Sequence, residues 1–267
     1  DVVVRVSDLF VSFDGRPVLD GIDLTVRRGE TLAILGSSGG GKSTLLRCLT
    51  GALEPDHGTV EVLGNPVAEL DEVALDAHRV RVGFLFQRGA LFQSMTVREN
   101  LACVVREHTD LTEEEIDILV RMQLELVGLR LTLDRTPSQL SGGMRKRVAL
   151  ARALILDPPL MLYDEPGAGL DPISLAAVDR LILTLARVRR TTSLVVTHKL
   201  VSANRIADRL IFLHGGRILA DGTVEEFQNH PDPHLRRFLD GDPAGILPSD
   251  STDESYARSL LGKEPAP

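Results

Sequence analysis

Residues 36–44 read Gly36-Ser37-Ser38-Gly39-Gly40-Gly41-Lys42-Ser43-Thr44 and fit the pattern G-x-x-x-x-G-K-[ST]. They follow Thr31-Leu32-Ala33-Ile34-Leu35, a short, wholly apolar run with the character of a strand buried on both faces, as in a parallel sheet. A helix is expected directly after them, over 44–49. Glycines let backbone N–H groups surround an oxyanion because no Cβ blocks the approach, and the helix N-terminus adds a favourable dipole. The segment is therefore read as a phosphate cradle. Lys42 is the candidate to contact the β- and γ-phosphates of a nucleotide, and Ser43 the candidate to ligate Mg2+. A chain organised around such a loop is expected to be α/β, with its ligand at the carboxyl ends of parallel strands.

Two further segments carry chemistry. Leu160-Met161-Leu162-Tyr163-Asp164-Glu165 is an apolar strand that ends in two carboxylates. Asp164 is placed to face the metal and Glu165 to orient or deprotonate an attacking water. Such a pair can be an ordinary acidic turn, but its company with a phosphate loop argues for function. Leu140-Ser141-Gly142-Gly143-Met144 opens the helical run Arg145-Lys146-Arg147-Val148-Ala149-Leu150-Ala151-Arg152. It is a second phosphate-binding helix N-terminus in the physical sense, or a plain serine N-cap.

The rest of the chain reads as α/β around these segments. Strands are expected over 2–6, 22–26, 58–63, 83–86, 160–163, 193–197, 210–213 and 217–219, with a hairpin turn at Gly215-Gly216. Between about 91 and 156 the pattern turns helical. Thr112 followed by Glu113-Glu114-Glu115 forms a capping box, Ile116, Leu119, Met122 and Leu126 follow at helical spacing, and Gly128 suits a C-terminal cap. Residues 174–188 are also helical in period. From His230 on, Pro, Asp, Ser and Gly accumulate, and the end reads as a tail with one or two short helices.

Composition narrows the classes. Thirty Lys+Arg against 38 Asp+Glu give a net charge of −8, which opposes nonspecific nucleic-acid binding and a polybasic membrane anchor. With no Trp and two Tyr, a base- or sugar-stacking platform is not expected. Cys48 and Cys103 lack metal spacing and read as free thiols of a reducing compartment. No apolar stretch approaches the length of a membrane span, and no secretory signal is visible.

The phosphate loop, Leu-Ser-Gly-Gly, the Asp-Glu strand end, Gln87 and His198 occur in the order and spacing of the ATPase subunits of ABC transporters, which the chain resembles over about residues 2–230. The resemblance implies a P-loop NTPase with a RecA-like core, an antiparallel β-subdomain and an inserted helical subdomain. It also implies ATP and Mg2+ as ligands, and a head-to-tail homodimer in which one copy's phosphate loop and the other's Ser141-Gly142-Gly143 hold each ATP. By the same resemblance Phe13 stacks on adenine, where a core aromatic on an edge strand is the rival reading. Gln87 senses Mg2+ and the γ-phosphate, Asp171 lies on the loop that crosses to the other copy, and His198 contacts the γ-phosphate. Segment 86–100 would receive the coupling helix of an integral membrane permease, or be plain core.

Met144 stands where this family usually has Gln, and Lys199 where an acidic residue is common. Leu-Ser-Gly-Gly-Met before a basic stretch resembles the ATPases of MCE-type phospholipid transporters, with the bacterial Mla system for lipid asymmetry the nearest match. That implies MCE-domain and STAS-domain partners and a peripheral place on the cytoplasmic face of the inner membrane. The alternatives are an ATPase for import of amino acids or other small solutes and a soluble ABC ATPase. Residues 1–230 are expected to form the ATPase domain, with its helical subdomain over about 91–156. Residues 231–267 would be a tail whose apolar stretch, 256–261, docks on a partner or packs loosely on its own domain.

Overall fold

The computed structural model describes residues 1–37 and 39–241. In chain order its first elements are β1 (Val2–Phe13), β2 (Arg16–Arg27), β3 (Thr31–Leu35), α1 (Lys42–Leu49), β4 (His57–Val62), β5 (Asn65–Pro66), α2 (Glu72–Val80) and β6 (Val82–Leu85). Then come α3 (Val97–His108), α4 (Glu113–Leu126), α5 (Gly142–Ala153), β7 (Leu160–Asp164), α6 (Pro172–Arg189) and β8 (Thr192–Val196). The last are α7 (Leu200–Ile206), β9 (Arg209–His214), β10 (Arg217–Gly222), α8 (Val224–Gln228) and α9 (Pro233–Asp240).

Two sheets carry the strands. One is antiparallel, in the order β2-β1-β4-β5; the other runs β10-β9-β3-β8-β7-β6, parallel from β9 to β6. β3 and β8 are buried at every residue, with Leu32 to Leu35 and Leu194 to Val196 as their apolar runs. Alternate residues of β7 and β8 feed two different cores. Leu160, Leu162, Leu194 and Val196 pack with α1 and the antiparallel sheet, while Met161, Tyr163 and Val195 pack with α3, α4, α5 and α6. The central sheet is thus covered on both faces, and each fully buried Leu or Ile contributes roughly 1.5–3 kcal/mol.

The helical section expected over 91–156 holds α3, α4 and α5 with two short 3-10 turns between them. The capping box is present in both directions: Glu115 N–H donates to Thr112 Oγ1, and Thr112 N–H donates to Glu115 Oε2 at 2.8 Å. Gly128, with φ +68°, follows the C-cap Val127. The buried line of α4 runs through Ile116, Val120 and Leu124, so Met122 and Leu126 are 62% and 49% exposed. Spacings of four keep to one face at 100° per residue; the step from Leu119 to Met122 carries the series off it. Helix α2, with Asp71 as its N-cap, is an element the sequence pattern did not expose.

Asp1–Asn229 forms one compact unit and a second begins at His230. Within the second, α9 starts on Asp232, which accepts from the N–H groups of His234 and Leu235, and ends on Gly241 at φ +66°. The apolar stretch at 256–261 lies outside the described residues. Among the described residues no helix is long and apolar enough to cross a membrane.

Replacing Leu194 with Ala opens a cavity in a strand packed on both faces. Its unfolding free energy should fall by about 2–5 kcal/mol in chemical denaturation; a loss below ~1 kcal/mol would contradict this account of β8.

Candidate functional site

Strand order places the site. β3, β8, β7 and β6 are consecutive neighbours, and their carboxyl ends lead into the phosphate loop, His198, Asp164-Glu165 and Gln87 in turn. A cavity at these ends is lined by Val18, Gly39, Gly40, Gly41, Lys42, Ser43, Thr44, Gln87, Asp164, Glu165, Val196 and His198. Gly39 and His198, 159 positions apart in sequence, therefore share one cradle because parallel pairing aligns their strands.

The loop's glycines answer to close backbone packing. A Cβ on Gly36, whose φ is +155°, would lie 2.2 Å from the Leu213 carbonyl oxygen; one on Gly41, at φ +90°, would lie 2.7 Å from the Val18 carbonyl. Gly41 also gives α1 an N-cap with no side-chain hydrogen bond. Lys42 is buried, and its ammonium donates to the carbonyls of Gly36 (2.9 Å) and Ser37 (2.7 Å). A lysine ammonium has three donors, so one remains for a phosphate oxygen. Burial lowers the Lys42 pKa from its ordinary value, and the carboxylates of Glu165 and Asp164 oppose that shift. Ser38 lies outside the described residues.

The Ser43 hydroxyl and the Asp164 carboxylate meet at 3.1 Å. Two hard oxygen donors beside a phosphate cradle suit Mg2+, which binds through few protein ligands and keeps its other positions for water and phosphate. Gln87, the third residue expected at the metal, lines the same cavity.

Glu165 is fixed at every polar atom. Its φ is +48°, a left-handed conformation that costs a non-glycine residue on the order of 1–2 kcal/mol. Its N–H donates to Val196 O (2.9 Å), and its carbonyl accepts from Ala168 N–H and from the Lys146 ammonium. Its carboxylate pairs with His198 Nδ1 at 2.8 Å and accepts from Thr197 Oγ1 at 3.4 Å. Only 8% of the residue is exposed. Burial likewise lowers the Lys146 pKa, against the pull of Asp164 and Glu165. Lys199, next to His198, donates to Gly167 O at 2.7 Å and so holds the chain just after Glu165.

The other expected residues stand apart from this cavity. Ser141 caps α5 by accepting from Met144 N–H at 3.2 Å. Asp171 caps α6 by accepting from the N–H groups of Ile173 and Ser174, and hydrogen bonds from Ser174 hold its carboxyl below the usual range. These two helix starts adjoin: a Cβ on Gly143 would lie 2.9 Å from Ser174 Oγ, and one on Gly142 4.0 Å from Leu170. Neither Ser141, Gly142, Gly143 nor Asp171 lines the phosphate-loop cavity. Phe13 does not line it either. It is 44% exposed at the end of β1, which lies between β2 and β4, so it is not a core aromatic and its strand is not an edge. Segment 86–100 divides: Leu91 and Val97 are buried, while Phe86 and Phe92 are half exposed, the latter with the Arg152 guanidinium over its ring at 5.5 Å.

The sequence reading missed Lys146, Lys199 and Thr197 as parts of the site. A signal existed for the first. In Arg145-Lys146-Arg147, successive helical residues point 100° apart, so the three cations spread over about 200° of the helix surface and do not share one face.

Gly36→Ala should abolish binding of a fluorescent ATP analogue, because its Cβ cannot coexist with the Leu213 carbonyl at 2.2 Å. Retained affinity would show that the loop does not depend on this approach.

Comparison with known proteins agrees with the geometry. The ABC transporter family matches residues 19–168. The intermembrane phospholipid transport system ATP-binding protein MlaF of Escherichia coli K12 is 40% identical over 97% of this chain and 96% of its own length. The chloroplastic protein TRIGALACTOSYLDIACYLGLYCEROL 3 of Arabidopsis thaliana is 39% identical, over 92% of this chain and 76% of its own. Among solved structures, a dimeric ATP-binding cassette in a post-hydrolysis state, bound to ADP and Pi, superposes with a TM-score of 0.77 at 28% identity, covering 83% of this chain and 98% of that one. With its phosphate loop, strand-end carboxylates and Ser-Gly-Gly helix start in place, the chain belongs to the ABC transporter family as an ATP-binding, ATP-hydrolysing cassette.

Proposed function

We propose that the chain powers phospholipid transport by an MCE-type complex, from the cytoplasmic face of the inner membrane, and that it works as a head-to-tail pair of copies on an integral membrane permease. One observation carries the pairing: Ser141-Gly142-Gly143 and Asp171 converge at adjoining helix starts yet lie outside the cavity of their own phosphate loop. The amides of Gly142 and Gly143, which the Ser141 cap leaves open, then serve a nucleotide held by the other copy, with Asp171 beside them. Phospholipid as cargo rests on similarity along nearly the whole chain to a subunit named for that transport. Phe86 and Phe92 give the permease an apolar, half-exposed docking patch. MCE-domain and STAS-domain proteins complete the assembly in this reading.

At the nucleotide, Lys42 directs its remaining N–H to the phosphates and the loop amides enclose them. Phe13 offers its exposed face to adenine. Ser43 and Asp164, with Gln87 beside them, would hold Mg2+, which when bound would supply charge neutralisation at the phosphates. Glu165 orients the attacking water and takes its proton as the bond from γ-phosphorus to the ADP oxygen breaks. His198 holds the Glu165 carboxylate through Nδ1 and turns Nε2 toward the γ-phosphate. Closure of the pair around two ATP molecules, and reopening after hydrolysis, would drive the permease.

Purification of the tagged chain from its native membrane in detergent tests the assembly. A co-purifying permease and MCE protein are expected, and a complex that lacks any integral membrane protein would overturn the reading. In the same preparation Lys42→Ala should abolish ATP turnover. Glu165→Gln keeps shape and hydrogen bonding but loses the basic carboxylate, so ATP affinity should persist while turnover falls roughly 10²–10⁴-fold. Parental turnover in Glu165→Gln would remove Glu165 from the role of base.

A further inference from the structure

Three consecutive cations begin α5, and they do different things. Arg145 Nη1 donates to Leu140 O and Arg147 Nη1 to Val127 O, both within the helical section. Lys146 turns the other way and is 7% exposed. Its ammonium donates to Gln87 O at 2.5 Å and to Glu165 O at 3.3 Å. These two carbonyls belong to segments 78 residues apart in sequence, one leaving β6 and the other leaving β7. Each carries a side chain that lines the nucleotide cavity.

Lys146 itself does not line that cavity. It touches the site only through main-chain oxygens. The Glu165 peptide is the strained one, at φ +48°, and the Ala168 N–H is the other donor to its carbonyl. A residue persists in this conformation only where its surroundings over-determine it. A buried ammonium that binds two carbonyls supplies such a restraint, since charge-assisted hydrogen bonds are stronger than neutral ones. For packing alone an apolar side chain would serve as well, because burying a lysine charge is costly.

We infer that Lys146 is a positioning residue of the hydrolytic site, whose ammonium ties the peptides of Gln87 and Glu165 together and so fixes the Glu165 carboxylate against the attacking water. The inference rests on the reading of Glu165 given above. It also gives α5 a double role. The helix whose first turn would serve the other copy's nucleotide sets the hydrolytic geometry of its own chain.

The test compares Lys146→Met, Lys146→Arg, Glu165→Gln and the Lys146→Met/Glu165→Gln double variant in the full-length chain, purified with its co-purifying partners. Steady-state ATP turnover, affinity for a fluorescent ATP analogue and melting temperature are measured for each. Methionine keeps length and apolar bulk without a donor. Its kcat should fall by about 100-fold, the effect of a misplacement near 1 Å, while analogue affinity and melting stay near parental values. Arginine keeps the cation and its donors and should restore most of the lost turnover. The double variant should be no slower than Glu165→Gln alone, because both changes disable one group. Parental kcat in Lys146→Met overturns the inference. So do a loss of kcat accompanied by lost affinity or melting, failure of that variant to fold, absence of rescue by Arg, and multiplicative losses in the double variant. Parental turnover in Glu165→Gln would instead contradict the role assigned to Glu165, a result read independently of Lys146.

Discussion

The parallel pairing of β3 with β8, β8 with β7 and β7 with β6 sets four loops side by side at one end of the sheet. Neighbouring strands in a sheet lie about 4.8 Å apart, so the three steps from β3 to β6 span on the order of 15 Å. Every group expected to act within one copy on the phosphates leaves one of these strands. The registers Ile34–Val196 and Asp164–Val196 place the phosphate loop, His198 and Glu165 level with one another. The apolar runs that make this possible are buried on both faces, and the two cores on either side hold them there.

Given that row, the chemistry depends on rigid, partly dehydrated charges. Lys42 and Lys146 lie buried near Asp164 and Glu165, where weak screening strengthens each interaction. Glu165 combines a strained backbone with hydrogen bonds at its amide, its carbonyl and its carboxylate. Catalysis of phosphoryl transfer is chiefly positioning and charge stabilisation. In the proposed reading, a carboxylate held at its amide, carbonyl and side chain would meet the first need, and the Lys42 ammonium with the loop amides would meet the second.

How much of this could be read from sequence follows from the range of the interactions involved. Gly36 to Thr44 and Asp164-Glu165 were legible because their requirements are local: a turn without Cβ atoms and a carboxylate at a strand end. The capping box at Thr112 and Glu115 was legible for the same reason. Lys146, Lys199 and Thr197 were not, because their partners lie 59, 32 and 32 residues away and only the sheet order brings them near. The outward turn of Met122 and Leu126 escaped a count of apolar spacings, since packing against α3 and α5 decides which line of α4 is covered. Ser141 and Asp171 were found by motif, but only the fold shows that they lie together and away from their own loop.

That separation makes the account's central claim: one copy holds a nucleotide and two copies are needed to hydrolyse it. Sedimentation velocity of the Glu165→Gln chain, with Mg2+ and ATP and then with Mg2+ and ADP, tests it most directly. Slow hydrolysis should keep the closed pair intact, so a dimer is expected with ATP and a monomer with ADP. A monomer in both, from a chain shown to bind ATP, would contradict the shared site.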